Sequence, residues 1–419
     1  MSQKPLNPWI WSLYDFANSF ASIIVSFYFS LFVVTSLGRS DLWVSAPVAL
    51  TTVLLVLTLP FFGSIADRMK RYKPTLALTT IIAIAALFSL GVFAALSLHH
   101  PWMFIFVLLF YFLFQYFYQA AFAFYMPFMQ ELSKKHERSF VASIGLAAGQ
   151  LGNVVALLIA VPFVESGIHF AGTTGIPLVF CFGAVMFFIL YIPFHLKFRE
   201  PNEHSAEFYQ YIPKSIKELF THLLELRKYP NVLRYLIAYY FFADAILTLQ
   251  LFASLYLEKI GFLATKGMTY AFVVGLIMAV VGALITPWFA RKVGNLKKAL
   301  SGVLLSWSVL LLLLVVAKTH WQMVIIVGLN GLAFGMLFAL SRIMYSKIIP
   351  ADQPAKYFGL YVLFERFASV LGPLVWSGGV AVFIFTGEIT KYRIATALLA
   401  IMVLIAYAIF RTVKEEYHS

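Results

Sequence analysis

Charge is scarce in this chain. Asp, Glu, Lys and Arg make up 12% of its 419 residues, about half the share usual in a soluble domain. Cysteine is nearly missing. The single Cys181 lies in an apolar run, which excludes an internal disulfide and a cysteine-built metal site. Enzyme signatures are missing too. The chain has no His-Glu-x-x-His, no Gly-x-Ser-x-Gly and no Walker phosphate loop. Its nine histidines are scattered without ligand spacing, and the adjacent His99 and His100 are expected to be solvated. No enzyme activity, cofactor or metal is therefore expected. Alternation of apolar and polar residues is lacking as well, which excludes a membrane β-barrel. The short, polar, Pro-containing start and the long first apolar run argue against a cleavable signal peptide.

What fills the chain is hydrophobic residue, 62% of the total, at a mean hydropathy of +0.87. The apolar runs are continuous and long enough to cross a bilayer. Twelve spans are expected, at 12–36, 43–66, 75–97, 101–125, 140–163, 176–196, 232–257, 267–290, 298–317, 321–342, 357–383 and 390–411. The polar stretch 197–231 separates two halves, 1–196 and 232–419. Within it Ile212, Ile216, Leu219, Phe220 and Leu223 share one helical face after Pro213. That pattern predicts either an amphipathic helix at the membrane surface or a plain spacer.

The net charge of +13 raises nucleic acid as a partner, but membrane topology explains it better. With both termini cytoplasmic, 24 of the 31 basic residues fall on that side. Six (Arg39, Lys259, Lys266, Lys318, Lys391, Arg393) fall outside, and Arg366 falls within a span. Such a split is decisive under the positive-inside rule. The densest basic stretch, Gly63 to Pro74, holds five charged residues between Asp67 and Lys73 and predicts a tight charged loop. A weaker echo at Pro287 to Lys298 places Arg291 224 residues after Asp67. One hairpin repeated per half suggests internal duplication.

A 6+6 arrangement around a central cytoplasmic loop matches the major facilitator architecture. Gly63-x-x-x-Asp67-Arg68-x-x-Arg71 resembles that superfamily's loop between helices 2 and 3, with Lys70 where glycine is usual. The resemblance implies a cytoplasmic gate in which Gly63, Asp67, Arg68 and Arg71 act with Arg291 and Arg342; the alternative is a topology anchor. A narrower resemblance rests on Trp11-Ser-Leu-Tyr-Asp-Phe-Ala-Asn-Ser19, Ser143-Ile-Gly-Leu-Ala-Ala-Gly-Gln-Leu-Gly152, Ala238-Tyr-Tyr-Phe-Phe-Ala-Asp-Ala-Ile-Leu-Thr248, Leu340-Ser-Arg-Ile-Met-Tyr345, Tyr357-Phe-Gly-Leu-Tyr361 and Leu371-Gly-Pro373. Together these resemble the "unknown major facilitator" branch, which includes fungal vacuolar amino-acid effluxers linked to autophagy. The resemblance implies an all-α integral membrane protein, with twelve helices in two six-helix bundles related by a pseudo-two-fold axis. It also implies efflux of amino acids or similar metabolites. Ala245 and Glu365-Arg366 depart from the branch's usual glycine and small residue-lysine, so a substrate is not carried over.

Polar side chains within spans are expensive and mark partners or water-filled cavities. In the first span Asp15, Asn18, Ser19, Ser22 and Ser26 fall within about 100° of arc, a stripe that reads as cavity lining or a helix seam. The fourth offers Tyr111, Gln115, Tyr118 and Gln119, suited to an organic ligand; Tyr125, Met126 and Pro127 at its end suit a gate. In the fifth, Gly145, Gly149 and Gly152 predict close helix packing, while Gln150 and Ser143 face elsewhere, towards the cavity. The seventh aligns Tyr240, Asp244 and Thr248. The eleventh aligns Tyr361, Glu365, Ser369 and Gly372, with Arg366 turned away by about 100°. Desolvation favours a neutral carboxyl, so Glu365 and Asp244 are candidate proton carriers. Arg366 is expected to pair with Asp244 or Glu365, or to bind a substrate carboxylate. Asn330, near Gly328, Gly331 and Gly335, reads as packing or cavity lining.

The functional expectation is a monomeric secondary transporter. It would move a small organic solute, an amino acid or similar metabolite, by alternating access with proton coupling. Its place would be a bacterial inner membrane, favoured by compact length and short tails. Alternatives are carriage of a larger chelate, siderophore-like or drug-like solute, and a receptor or scaffold on the same fold.

Overall fold

The computed structural model describes residues 7–69, 71–125, 128–129, 132, 138–165, 175–200, 216–260, 265–350 and 354–414. Nearly all of them are helical, and no strand occurs among them. The first six helices are α1 (Pro8–Leu31), α2 (Leu42–Met69), α3 (Lys73–His99), α4 (Phe104–Tyr125), α5 (Arg138–Glu165) and α6 (Ile176–Lys197). A short helix, Ile216–Glu225, precedes α7 (Pro230–Lys259), α8 (Thr265–Val293), α9 (Leu296–Val316) and α10 (His320–Ile348). The eleventh is in two pieces, α11a (Pro354–Phe367) and α11b (Leu371–Val382), and α12 is Glu388–Arg411. Among the described residues, ten helices are long and apolar enough to cross a membrane. The chain is a multi-pass membrane protein.

Local chemistry sets the helix ends. Asn7 caps α1, its side chain accepting the Trp9 amide at 2.9 Å, and Pro8 follows where its missing N–H costs nothing. Gly294, at φ +71°, ends α8 in a conformation that favours glycine. Asn295 then caps α9 through the Lys298 amide at 2.7 Å. Thr319 and Gln322 form a capping box on α10.

Three sequence expectations change. The charged loop Gly63–Pro74 is mostly helix, because α2 continues to Met69 and α3 begins at Lys73; the intervening residues Ile65, Ala66 and Arg68 sustain a helix. The helix α10 runs on to Ile348, so Arg342 lies more than a turn before its end. The eleventh span breaks at Ala368–Val370. In the linker, Ile216 to Leu223 fall in the short helix; Ile212 and Pro213 lie outside the described residues.

Contacts divide the chain into two units, 1–32 with 53–219, and 33–52 with 220–419. In the first, α1 packs on α5 and α6, and α3 on α4 and α6. Its floor is an aromatic core of Trp11, Tyr14, Tyr125, Tyr191 and Phe194. In the second, α8 packs on α10, and α12 on α7 and α9. The helices α1 and α7 are the most enclosed, with 67% and 61% of their apolar windows buried against 44% or less in the other long spans. Each unit thus folds around its own first full-length helix.

Candidate functional site

In the first unit, α1 is buried almost all round. Asp15, Ser19, Ser22 and Ser26 are half-buried, whereas Ala17, Asn18, Phe20 and Ala21 are buried. Spacings of four, three and four put those partly open residues on one face. The stripe is therefore real; Asn18 is the member turned into the protein. Tyr125 secures its end, donating to Asp15 Oδ2 and to the Trp11 carbonyl, each at 3.0 Å, with its ring stacked on Trp11 at 4.7 Å. The glycines of α5 make room for the stripe. A Cβ at Gly145 would sit 2.7 Å from Asp15 Oδ2, and one at Gly149 3.0 Å from Ser19 Oγ.

The remaining first-unit candidates separate. Tyr111 is fully buried, stacked on Phe29 at 3.5 Å and receiving the Gln115 amide at 3.2 Å. Gln119 is buried, while Gln115 and Tyr118 are half-buried. Gln150 is half-buried and accepts from Asn153 at 3.3 Å. Gly63, Asp67 and Arg68 lie in the last turns of α2, and Arg71 is exposed just beyond. The side chains of Asp67, Arg68 and Ser143, and residues Met126 and Pro127, lie outside what is described. The connection at Arg71 has an anchor that the sequence did not announce: Glu200 accepts the Tyr72 and Lys73 amides at the start of α3, where a helix N-terminus favours an anion.

In the second unit, α7 meets α11 at two levels. Tyr239 donates to Glu365 Oε2 at 3.0 Å and lies against Tyr361 at 4.2 Å. The Tyr361 hydroxyl reaches Ser341 Oγ at 3.0 Å, and Tyr235 donates to the Ser341 carbonyl at 2.6 Å. The exposed Arg342 lies within electrostatic range of Tyr239 and Tyr361. Glu365 and Arg366 are half-buried. The first level thus sets Glu365 amid tyrosines, and Tyr239 is a member that the sequence does not single out. Only a contact map could single it out from a helix rich in tyrosine. At the second level, Asp244 and Thr248 are fully buried, and Asp244 Oδ2 accepts the Gly372 amide at 2.7 Å. The partner found for Asp244 is the start of α11b, beside half-buried Tyr240. Arg291 is exposed in the last turn of α8. The described residues contain no group of three or more His, Cys, Asp and Glu side chains placed to hold a metal.

A broken span with a buried acid at the break, a polar stripe on the central helix of the first unit, and twelve segments of this order suit a carrier. The family model for vacuole effluxer Atg22-like proteins matches residues 43–417. The chain belongs to this Atg22-like family. The Atg22-like chain is 25% identical to an uncharacterized MFS-type transporter, YxiO of Bacillus subtilis, over 97% of its own length and 94% of that protein. It is 23% identical to autophagy-related protein 22 of Saccharomyces cerevisiae, over 42% of its length and 36% of the fungal protein. Two solved structures share the fold. The nucleoside transporter NupG matches at TM-score 0.76 and 15% identity, over 97% of this chain and all of that one. A bacterial homologue of the human lysosomal transporter Spinster matches at 0.71 and 13%, over 98% and 97%. This Atg22-like protein is accordingly a membrane transporter of the major facilitator type.

Proposed function

We propose that the protein is a secondary active transporter that moves a small zwitterionic solute, an amino acid or close analogue, by alternating access coupled to protons. The observation that carries this reading is the half-buried pair Glu365-Arg366, with Glu365 held by Tyr239 at 3.0 Å. A zwitterion presents one carboxylate and one ammonium. Arg366 suits the first, and an acidic side chain suits the second. Glu365 is the proton carrier in this scheme, as the half-buried acid of α11a that Tyr239 holds. In the first unit the half-buried stripe Asp15, Ser19, Ser22 and Ser26 supports a hydrated path, to which Gln115, Tyr118 and Gln150 add half-buried polar groups. The basic surplus of one set of loops supports a bacterial inner membrane with both termini cytoplasmic, and the protein acts as a monomer.

Proteoliposome uptake of labelled amino acids at two imposed pH gradients tests this. Glu365→Gln should keep binding and exchange but lose dependence on the gradient. Gradient dependence equal to wild type would remove Glu365 as carrier. Uptake of chelates but no amino acid would replace the substrate class and leave the coupling test standing.

A further inference from the structure

In the second unit α8, α9 and α10 form an open groove of about 510 Å³. The helices α8 and α9 are consecutive, yet both pack on α10 and scarcely on each other. Their hairpin therefore straddles α10 and leaves a trough. Phe289 stands on the α8 wall, Leu305, Ser306 and Val309 on the α9 wall, and Leu332 and Met336 on the α10 floor. Leu305 and Val309 are exposed, so the trough faces outward. Ser306 is the one polar residue that lines it, and its hydroxyl donates to the Gly302 carbonyl at 2.8 Å. The walls thus offer an occupant only hydrocarbon. The turn that joins the walls is basic. Arg291, Lys292, Lys297 and Lys298 fall within eight residues there, and residues 259–351, which include all of α8, α9 and α10, hold no Asp or Glu. Among the described residues no acid pairs with any of the four. Lys292 follows Phe289 by three residues, on the same face of α8. Lys298 precedes Leu305 by seven residues and Val309 by eleven, so it shares their face of α9 about 10 Å along the axis from Leu305. Lys297 donates to the Arg411 carbonyl at 3.0 Å, which adds the basic end of α12 to the same place. Lys292 lies over the exposed Trp288 ring at 5.0 Å, and a tryptophan there marks the headgroup level of a bilayer.

We propose that this groove is a binding site for an anionic phospholipid, with an acyl chain laid along Phe289, Leu305 and Val309 and its phosphate held by Lys292 and Lys298. Charge and depth select that class. A basic pocket between spanning helices suits an anionic headgroup. A zwitterionic phospholipid carries its own ammonium into a turn with four cations and no acid. A free phosphate ion would meet the cations but leave the groove unfilled. A second copy of the chain would bring a second set of the same cations to the turn, and like charges so placed repel. A lipid sets a hydrocarbon chain and a phosphate end to end along the membrane normal, in the order in which the groove and the turn present their faces.

Native mass spectrometry of the full-length protein tests this, with titration by dioleoyl phosphatidylglycerol or dioleoyl phosphatidylcholine. The first lipid bound should be phosphatidylglycerol, roughly 25-fold tighter than phosphatidylcholine, or about fivefold for each of two cations. Lys292→Gln with Lys298→Gln should erase that preference, and Lys292→Arg with Lys298→Arg should keep it. Ser306→Phe fills the groove and should weaken both lipids. All three positions are exposed, and size-exclusion profiles check that each variant folds. Equal binding of the two lipids by the wild type overturns the proposal, and that comparison needs no variant. Unchanged phosphatidylglycerol affinity in the glutamine pair, or in Ser306→Phe, overturns it too. Displacement of the bound lipid by glycerol 3-phosphate at matched concentration would make the turn a site for a free anion and overturn the lipid assignment.

Discussion

Asp244 Oδ2 on α7 accepts the backbone amide of Gly372 at 2.7 Å, two residues after the break in α11. The acid thereby caps a helix start that belongs to another helix, where amide dipoles favour an anion. Thr248, one turn along α7, crowds the same spot: a Cβ at Gly372 would lie 2.2 Å from Thr248 Oγ1 and 2.7 Å from Asp244 Oδ1. The first unit repeats the arrangement, with Asp15 and Ser19 on α1 facing Gly145 and Gly149 on the continuous α5. The duplication inferred from charged loops is thus visible in packing as well.

Gly372→Ala should destabilise by about 1–3 kcal/mol through overpacking. Asp244→Ala should cost a similar amount by removing a charge-assisted bond. If the two residues act as one contact, the double variant should cost clearly less than the sum. Thermal midpoints of the four proteins in one detergent measure this. Strict additivity would dissolve the claimed coupling.

Asp41 gives a pH signature outside the spanning helices. It lies in the turn before α2, buried, and accepts from Trp376 Nε1 at 3.2 Å and Tyr392 hydroxyl at 3.1 Å. Burial raises its carboxyl above the ordinary range, and those two donors only partly oppose the rise. The folded chain therefore holds this proton more tightly than the unfolded chain does. Its contribution is complete at pH below the unfolded value and is lost as pH rises through the folded one. Asp41→Asn has no such dependence. The thermal midpoint of the wild type, relative to Asp41→Asn, should fall as pH rises through the window above the unfolded carboxyl's value of about 4. A difference that stays constant across that window would show that Asp41 does not titrate there.

The glycines between α8 and α10 carry a steric prediction. A Cβ at Gly335 would sit 1.8 Å from the Ala279 carbonyl oxygen, whereas one at Gly302 on α9 would meet nothing within 4 Å. Backbone cannot yield as a side-chain tip can. Gly335→Ala should lower the yield of monodisperse protein sharply. Gly302→Ala should match or exceed wild type, since alanine is favoured in a helix by up to about 1 kcal/mol. Size-exclusion profiles of the two variants decide it, and equal profiles would mean that the helices can separate freely.

The sequence by itself determined the class of protein and most of its span boundaries. Scarce charge and long apolar runs permit only helices in a bilayer, and caps such as Asn7, Gly294 and Asn295 act through neighbours a few residues away. It also determined the α1 stripe, because Asp15, Ser19, Ser22 and Ser26 share a face by periodicity alone. Only the tertiary structure decided what each polar group meets. Asp244 and Thr248 look like Asp15 and Ser19 in the sequence, yet they are sealed against Gly372 where α11 breaks. Tyr239, Glu200 and Asp41 stood out by no local pattern. Their partners, Glu365, the Tyr72 and Lys73 amides, and Trp376 with Tyr392, lie 126 to 351 residues away. Helix periodicity is a property of a few neighbouring residues, whereas a hydrogen bond between helices depends on how the whole chain packs.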